Sequence, residues 1–289
     1  MKILVLGAGG MAGHVVSLYL REHGHTVDTL SARNKLDNNT KLIDATNKPA
    51  LEETLSSNQY DAVINCIGLL VKASEERKDL ATYLNSHLPH FLENYYRNTT
   101  TKVIHLSTDC VFSGKNAPHK EDSSYDGDLF YDRSKALGEI INDKDLTFRM
   151  SIIGPDIQQN GTGLFNWFYA QSGDINGFTG SIWSGITTIE LARGIHAALE
   201  QNITGLYHLV PVENISKYDL LRLFCEIFDR KDINVKPTEG ISADKTLFNT
   251  RTDFDFSVKD YSAMINDMKL WIQEHASIYP QYKESTYAD

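Results

Sequence analysis

The first thirteen residues limit the fold more than any other stretch. Ile3-Leu4-Val5-Leu6 is an unbroken apolar run, the pattern of a strand buried on both faces of a parallel sheet. It passes directly into Gly7-Ala8-Gly9-Gly10-Met11-Ala12-Gly13, and helical spacing follows through Val15, Val16, Tyr19 and Leu20 to a stop at Gly24. The glycines read either as G-x-x-G-x-x-G (Gly7, Gly10, Gly13) or as G-x-G-x-x-A (Gly7, Gly9, Ala12). Both give a tight strand-to-helix turn whose bare backbone lets a pyrophosphate rest on the helix N-terminus. Gly7, Gly10, Met11, Ala12 and Gly13 are the candidate phosphate-holding residues.

The strand-helix rhythm continues and points to an α/β chain with a doubly wound parallel sheet. A second strand spans about 26–30 and ends in Ser31-Ala32-Arg33. A carboxylate near that position holds the ribose 2′-hydroxyl of NAD, whereas Arg33 can pair with a 2′-phosphate, so NADP is favoured and NAD remains open. The alternative for Arg33 is an exposed surface arginine. Leu42-Ile43-Asp44 reads as a short third strand, with Asp44 either accepting from the adenine amino group or beginning a turn. Asn47 caps a helix over 49–57. A fourth strand, 62–68, ends in Cys66-Ile67-Gly68 at the edge that lines a cofactor cleft. A helix over 80–96 should kink at Pro89. In the fifth strand, 103–106, His105 reads as a packed histidine and not a base.

Ser107-Thr108-Asp109-Cys110-Val111-Phe112 follows that strand. The Thr108 hydroxyl there suits a substrate carbonyl, although Ser and Thr also cap strand ends. Farther on, Phe130-Tyr131-Asp132-Arg133-Ser134-Lys135 opens a helical stretch in which Leu137, Ile140 and Ile141 can face a core. Tyr131 and Lys135 sit one turn apart on one face, and an ammonium beside a phenol lowers the pKa of the phenol, which favours proton transfer near neutral pH. A second Tyr-x-x-x-Lys, Tyr279 to Lys283, contains Pro280 and does not suit a continuing helix.

A sixth strand spans 146–153 and breaks at Gly154-Pro155. Residues 155–186 are rich in Gly, Asn and aromatics, among them Trp167, Phe168, Tyr169, Phe178 and Trp183, a composition that fits a pocket wall or core packing. Helix returns over 189–199, strand over 205–210, and Ser216-Lys217-Tyr218-Asp219 opens another helix as a capping box. Tyr261, Met264, Ile265, Met268, Trp271 and Ile272 form one apolar stripe on the last helix.

The net charge of -10 and the lack of a Lys/Arg cluster argue against a nucleic-acid partner. No apolar run reaches membrane-spanning length, the amino end is too short for a signal peptide, and three scattered cysteines suit a reducing cytoplasm. Nothing in the pattern calls for a metal.

Together, Gly7-x-x-Gly10-x-x-Gly13, the Ser-Thr-Asp-x-Val-Phe run at 107–112 and Tyr131-x-x-x-Lys135 resemble the extended short-chain dehydrogenase/reductases, most closely the dTDP-4-dehydrorhamnose reductase branch. The resemblance implies a Rossmann-type domain over 1–153, rejoined by 187–210, and a smaller substrate-binding lobe from 154–186 and 211–289. It implies a catalytic Thr108/Tyr131/Lys135 set, with Lys135 also holding the nicotinamide ribose. The substrate implied is a nucleotide-linked 4-keto-6-deoxy sugar beside Asp109, Cys110 and Trp183. Cys110 stands where the family commonly has Tyr, and Asn249-Thr250-Arg251 where an Arg-Pro is common. The same residues also serve sugar-nucleotide epimerases and dehydratases, and the same fold serves a non-catalytic regulatory subunit. A homodimer is compatible with the resemblance, which does not decide it.

Overall fold

The computed structural model describes residues 1–159, 161–240 and 243–282, so Lys283 lies outside the described residues. Seven parallel strands form one sheet: β1 (Lys2–Leu6), β2 (Thr26–Ser31), β3 (Lys41–Leu42), β4 (Ala62–Asn65), β5 (Lys102–Leu106), β6 (Leu146–Arg149) and the strand Gly205–His208. From one edge to the other the order is 205–208, β6, β5, β4, β1, β2, β3. The winding direction reverses between β1 and β4, and a sheet that is wound both ways opens a crevice at the carboxyl ends of those two strands.

Both faces of the sheet are covered, which is why β1 is apolar throughout. Ile3 and Val5 face a core shared with α1 (Met11–Glu22), the helix Thr188–Glu200 and the last helix, Tyr261–Glu274. Leu4 and Leu6 face a second core with the helices Lys48–Ser56 and Leu88–Tyr95. The stripe on the last helix, from Tyr261 to Ile272, is buried throughout. Outside this sheet, a smaller set of strands pairs among itself: Gly173–Phe178 pairs with Ile233–Thr238, and Ser181–Trp183 pairs with Ile215–Ser216 and Ala243–Asp244. No helix among the described residues is long and apolar enough to cross a membrane.

Four elements depart from the sequence pattern. The run 146–153 is not one strand: after Arg149 the chain changes partners, and Ile152–Ile153 pairs with Ile186–Thr187. The Met150 carbonyl accepts from Asp109 N–H (3.3 Å) and the Ser151 carbonyl from Ile186 N–H (2.9 Å), so neither continues the ladder. β4 ends at Asn65, leaving Cys66-Ile67-Gly68 as loop. The helix over 80–96 is in pieces, with the π-helical turn Thr82–His87 taking up the bend just before Pro89. Pro89 has no N–H for the carbonyl of Asn85, four residues back. The bare α-carbon of Gly138 covers that carbonyl, where a Cβ would sit 1.9 Å from the oxygen. Finally, the helix Phe130–Ala136 is short; Ile140 is buried, but Leu137 (69% exposed) and Ile141 (60%) face solvent.

Candidate active site

The glycine turn sits at the crevice. Gly7 leaves β1 with φ +84°, and its N–H donates to the Leu30 carbonyl at the end of β2 (2.8 Å). A Cβ on Gly13 would lie 2.2 Å from the Gly7 carbonyl oxygen, so this packing of helix against strand requires glycine. α1 then begins at Gly10 with no side chain capping its first amides and no acidic residue in its first turn. Its positive end is left for an anion, and the residues fit the pyrophosphate of a dinucleotide. His14 braces the turn from below: Nδ1–H donates to the Gly10 carbonyl (2.8 Å), and Nε2 accepts from the Tyr279 hydroxyl (2.6 Å). Burial pushes the His14 pKa down to about 4, so the ring stays neutral. A residue outside the glycine motif, Gln158, reaches over the turn to the Gly9 carbonyl (3.4 Å).

The remaining cofactor candidates follow the same edge. Ser31, not a carboxylate, ends β2, and the nearby Asp37 is engaged by Arg21. Arg33 is exposed just beyond, with no ion pair among the described residues. Asp44 closes a turn, accepting from Thr46 N–H (2.9 Å) and its hydroxyl (2.8 Å). Cys66 lies against Gly7, and burial pushes its thiol up to about 12, so it is inert packing and not a nucleophile. Gly68 lies near Asn85, whose side chain ties together three elements. Its Oδ1 accepts from Leu69 N–H (2.8 Å), while its Nδ2 donates to the Leu69 carbonyl (3.1 Å) and to the Ser134 hydroxyl (3.0 Å). The π-helical turn thereby fixes the loop after β4 against the Tyr131 helix, a recurrent use of such turns near functional sites.

Thr108, Tyr131 and Lys135 converge at the carboxyl end of β5. The Thr108 hydroxyl lies near enough to the Tyr131 phenol to act on it, and both residues are buried. Lys135 is buried on the same helix; its Nζ donates to the Leu106 carbonyl (2.6 Å) and toward His105 Nε2 (3.4 Å). His105 is packed inside the strand, and burial holds it well below its usual pKa, so it is a neutral neighbour and not a base.

The acidified phenol inferred from spacing is overturned. Burial pushes the Tyr131 pKa up, with Cys110, Asp109 and Asp132 adding to it and Thr108 opposing. The Lys135 ammonium is turned toward the end of β5, and its own pKa is brought down to about 8 by burial, with Glu139 pulling it back up. Burial thus favours the neutral, protonated phenol at Tyr131.

Beneath this edge lies an ion pair with almost no exposure. Glu139 accepts from Arg149 Nε (2.9 Å) and Nη2 (2.6 Å), from the Ser107 hydroxyl (2.5 Å) and from the Tyr125 phenol (2.7 Å). Arg149 Nη1 donates to His208 Nε2 (2.7 Å). Ser107 precedes Thr108, so the pair anchors the strand end that carries the Thr108 hydroxyl.

On the other side, two lysines approach from the smaller set of strands. Lys217 Nζ lies 4.6 Å over the Trp183 ring, and burial brings its pKa down to about 8 against the pull of Asp109 and Cys110. Lys245 also acts electrostatically on Asp109 and Asp132. Neither lysine is within ion-pair distance of a carboxylate among the described residues. The sequence did carry a sign of Lys217: a cation opens a helix capped by Ser216, where the macrodipole disfavours it. Trp183 itself is core, 4% exposed, with its indole N–H on the Ser151 hydroxyl (2.8 Å), so it meets the cleft through Lys217. Of its aromatic neighbours in sequence, Phe168 is buried while Trp167 and Phe178 are exposed. Cys110 is largely buried with its thiol pushed up to about 12 by burial and by Asp109. No group of His, Cys, Asp and Glu among the described residues could hold a metal ion.

A parallel sheet with its glycine turn at the switch point, facing a Thr/Tyr/Lys group across one crevice, defines an α/β protein of the extended short-chain dehydrogenase/reductase type. More narrowly, residues 1–246 match the RmlD substrate binding domain, and the chain belongs to that family. It is 27% identical over 240 residues to the probable low-salt glycan biosynthesis reductase Agl14 of Haloferax volcanii, spanning 78% of this chain and 80% of that one. The solved structure of a hypothetical dTDP-4-dehydrorhamnose reductase from Sulfolobus tokodaii superposes with a TM-score of 0.77 at 25% identity, covering 91% of this chain and 99% of that one. The dTDP-4-dehydrorhamnose reductase of Bacillus anthracis, solved in complex with NADP, shares the fold at a TM-score of 0.80 and 18% identity, with 93% and 99% covered.

Proposed function

We propose that this protein is an NADPH-dependent reductase of a nucleotide-linked 4-keto-6-deoxy sugar, acting in the making of surface-polysaccharide precursors. The observation that carries the reading is the burial of Thr108, Tyr131 and Lys135 together at the carboxyl end of β5, with Lys135 Nζ donating to the Leu106 carbonyl (2.6 Å), at the edge that also holds the glycine turn. Relatives support the reaction class, since the Haloferax protein is named a glycan biosynthesis reductase and the Bacillus anthracis structure holds NADP.

The glycine turn from Gly7 to Gly13 would hold the pyrophosphate, Arg33 the 2′-phosphate and Lys135 the nicotinamide ribose. NADPH, when bound, supplies the hydride. Tyr131 gives its phenolic proton to the oxygen of the reduced carbonyl, and its high pKa keeps that proton in place until the alkoxide develops. Thr108 steadies the same oxygen. Lys217 and Lys245 face the sugar from the lobe formed by 154–186 and 211–289, with Asp109 and Cys110 beneath it. The three free cysteines suit a reducing, cytoplasmic compartment.

The test is turnover. Purified protein with NADPH and a panel of UDP- and dTDP-linked 4-keto-6-deoxy sugars should consume one NADPH per sugar, read as loss of NADPH absorbance. Isomerisation or dehydration of a sugar nucleotide with no net loss of NADPH would contradict the reductase.

A further inference from the structure

The inference starts from a count of hydrogen bonds at one oxygen. A threonine hydroxyl has one hydrogen to give and two lone pairs to receive. At Thr108 one lone pair and the single hydrogen are already in use. Oγ1 accepts from Cys110 N–H (3.2 Å) and donates its hydrogen to Asp109 Oδ1 (3.1 Å), with the Tyr131 phenol close enough to be influenced by it. With Asp109 ionised, the Thr108 hydrogen is committed to the carboxylate, and no donor remains for a substrate carbonyl.

We propose that Asp109 is a proton-controlled positioning group. When protonated, it donates to Thr108 Oγ1 and frees the Thr108 hydrogen for the substrate's carbonyl oxygen; when ionised, it holds that hydrogen back. Asp109 touches no reacting atom; it acts through Thr108. The inference rests on the reductase reading for its substrate.

The same chain of groups restores Tyr131. Once the phenol has given its proton away, the phenolate oxygen accepts the Thr108 hydrogen. Thr108 in turn takes the Asp109 carboxyl proton, and the carboxylate recovers one from water. The direction is downhill, because a phenol holds its proton more tightly than a carboxyl does.

The surroundings support a carboxyl that protonates readily. Asp109 is 8% exposed, and burial pushes its pKa above the usual carboxylate range. The groups facing it are Lys217 from the start of the helix Lys217–Ile227, Lys245 after the strand Ala243–Asp244, and its chain neighbours Thr108 and Cys110. From the helix Phe130–Ala136 Tyr131 faces it, with Asp132 near by. The lysines favour the carboxylate but lie beyond ion-pair distance, and desolvation outweighs them.

Asp109→Asn decides the matter, because the amide Nδ2–H donates to Thr108 at every pH. In wild type, kcat/KM should fall about tenfold per pH unit above the Asp109 pKa. In D109N that limb should be flat, while a limb near pH 8 from Lys135 and Lys217 should be common to both proteins. A D109N profile with the wild-type limb in place overturns the inference. Carbon-13 NMR of aspartate carboxyls in the free protein gives a readout that needs no substrate. One carboxyl absent from D109N should titrate above the ordinary aspartate range, and an Asp109 that titrates normally overturns the inference whether or not a substrate has been found. A wild type that reduces no keto sugar instead refutes the reaction assigned above.

Discussion

Replacing Glu139 with leucine should cost about 3–5 kcal/mol of stability, the usual penalty for leaving a buried charge without its partner. The side chains of Glu139 and Arg149 are 1% and 0% exposed, so water cannot take over. The substitution leaves Arg149 Nε and Nη2 and the Ser107 hydroxyl without an acceptor, whereas Tyr125, 46% exposed, turns to solvent. Most of the loss therefore comes from the stranded guanidinium. At roughly 2–4 °C per kcal/mol for a chain somewhat smaller than this one, the melting temperature should drop by roughly 6–20 °C. Urea denaturation followed by tryptophan fluorescence measures the free energy directly. The double variant Glu139→Leu/Arg149→Met removes the charge along with its partner and should recover more than half of the loss, because apolar replacement of a whole buried pair is often neutral. A single variant that loses less than about 1 kcal/mol, or a double variant less stable than the single, would refute this reasoning.

Three further perturbations separate the parts of the site. Gly10→Ala places a Cβ no closer than 3.4 Å to its nearest neighbour, the Gly7 carbonyl oxygen, so the fold should melt unchanged. The methyl should obstruct the phosphate, however, and NADPH affinity by fluorescence titration should drop at least tenfold, about 1.4 kcal/mol; unchanged affinity would move the pyrophosphate elsewhere. Arg33→Ala should raise the KM for NADPH more than that for NADH, and equal effects would remove the case for a 2′-phosphate contact. His14→Gln tests linkage. The folded-state pKa of about 4 lies below the unfolded value of 6.5, so the unfolded chain binds the extra proton in between and stability falls as pH drops from 6.5 to 4. Urea midpoints across that range should show the slope reduced by about 1.4 kcal/mol per pH unit in the variant; an unchanged slope would mean that His14 is not buried neutral.

The parts of the molecule legible in the sequence are those set by local pattern. β1, the glycine turn and α1 are contiguous, and their buried faces follow from residue spacing alone. The Asn47 and Ser216 caps and the stripe of the last helix are equally local. Thr108 and Tyr131 were placed together because one loop joins a central strand end to the next helix.

What spacing could not convey is what surrounds a side chain. The Tyr131 pKa is pushed opposite to the Tyr-Lys argument because the phenol is buried and the Lys135 ammonium is turned to the Leu106 carbonyl. Asn85 joins Leu69 to Ser134, sixteen residues back and forty-nine ahead, and no window of sequence contains that contact. Leu137 and Ile141 fit a helical stripe, but the helix ends at Ala136 and the stripe ends with it. The break after Arg149 has a similar origin, since two backbone carbonyls find partners in Asp109 and Ile186.

The most direct test of the site is Tyr131→Phe, assayed for NADPH oxidation with the keto sugar that the wild type reduces. Loss of the proton donor should lower kcat by about 10²–10⁴-fold, while NADPH binding, followed by fluorescence, stays intact. A Tyr131→Phe enzyme that reduces the sugar at a near wild-type rate would contradict the assignment of that phenol as the proton donor.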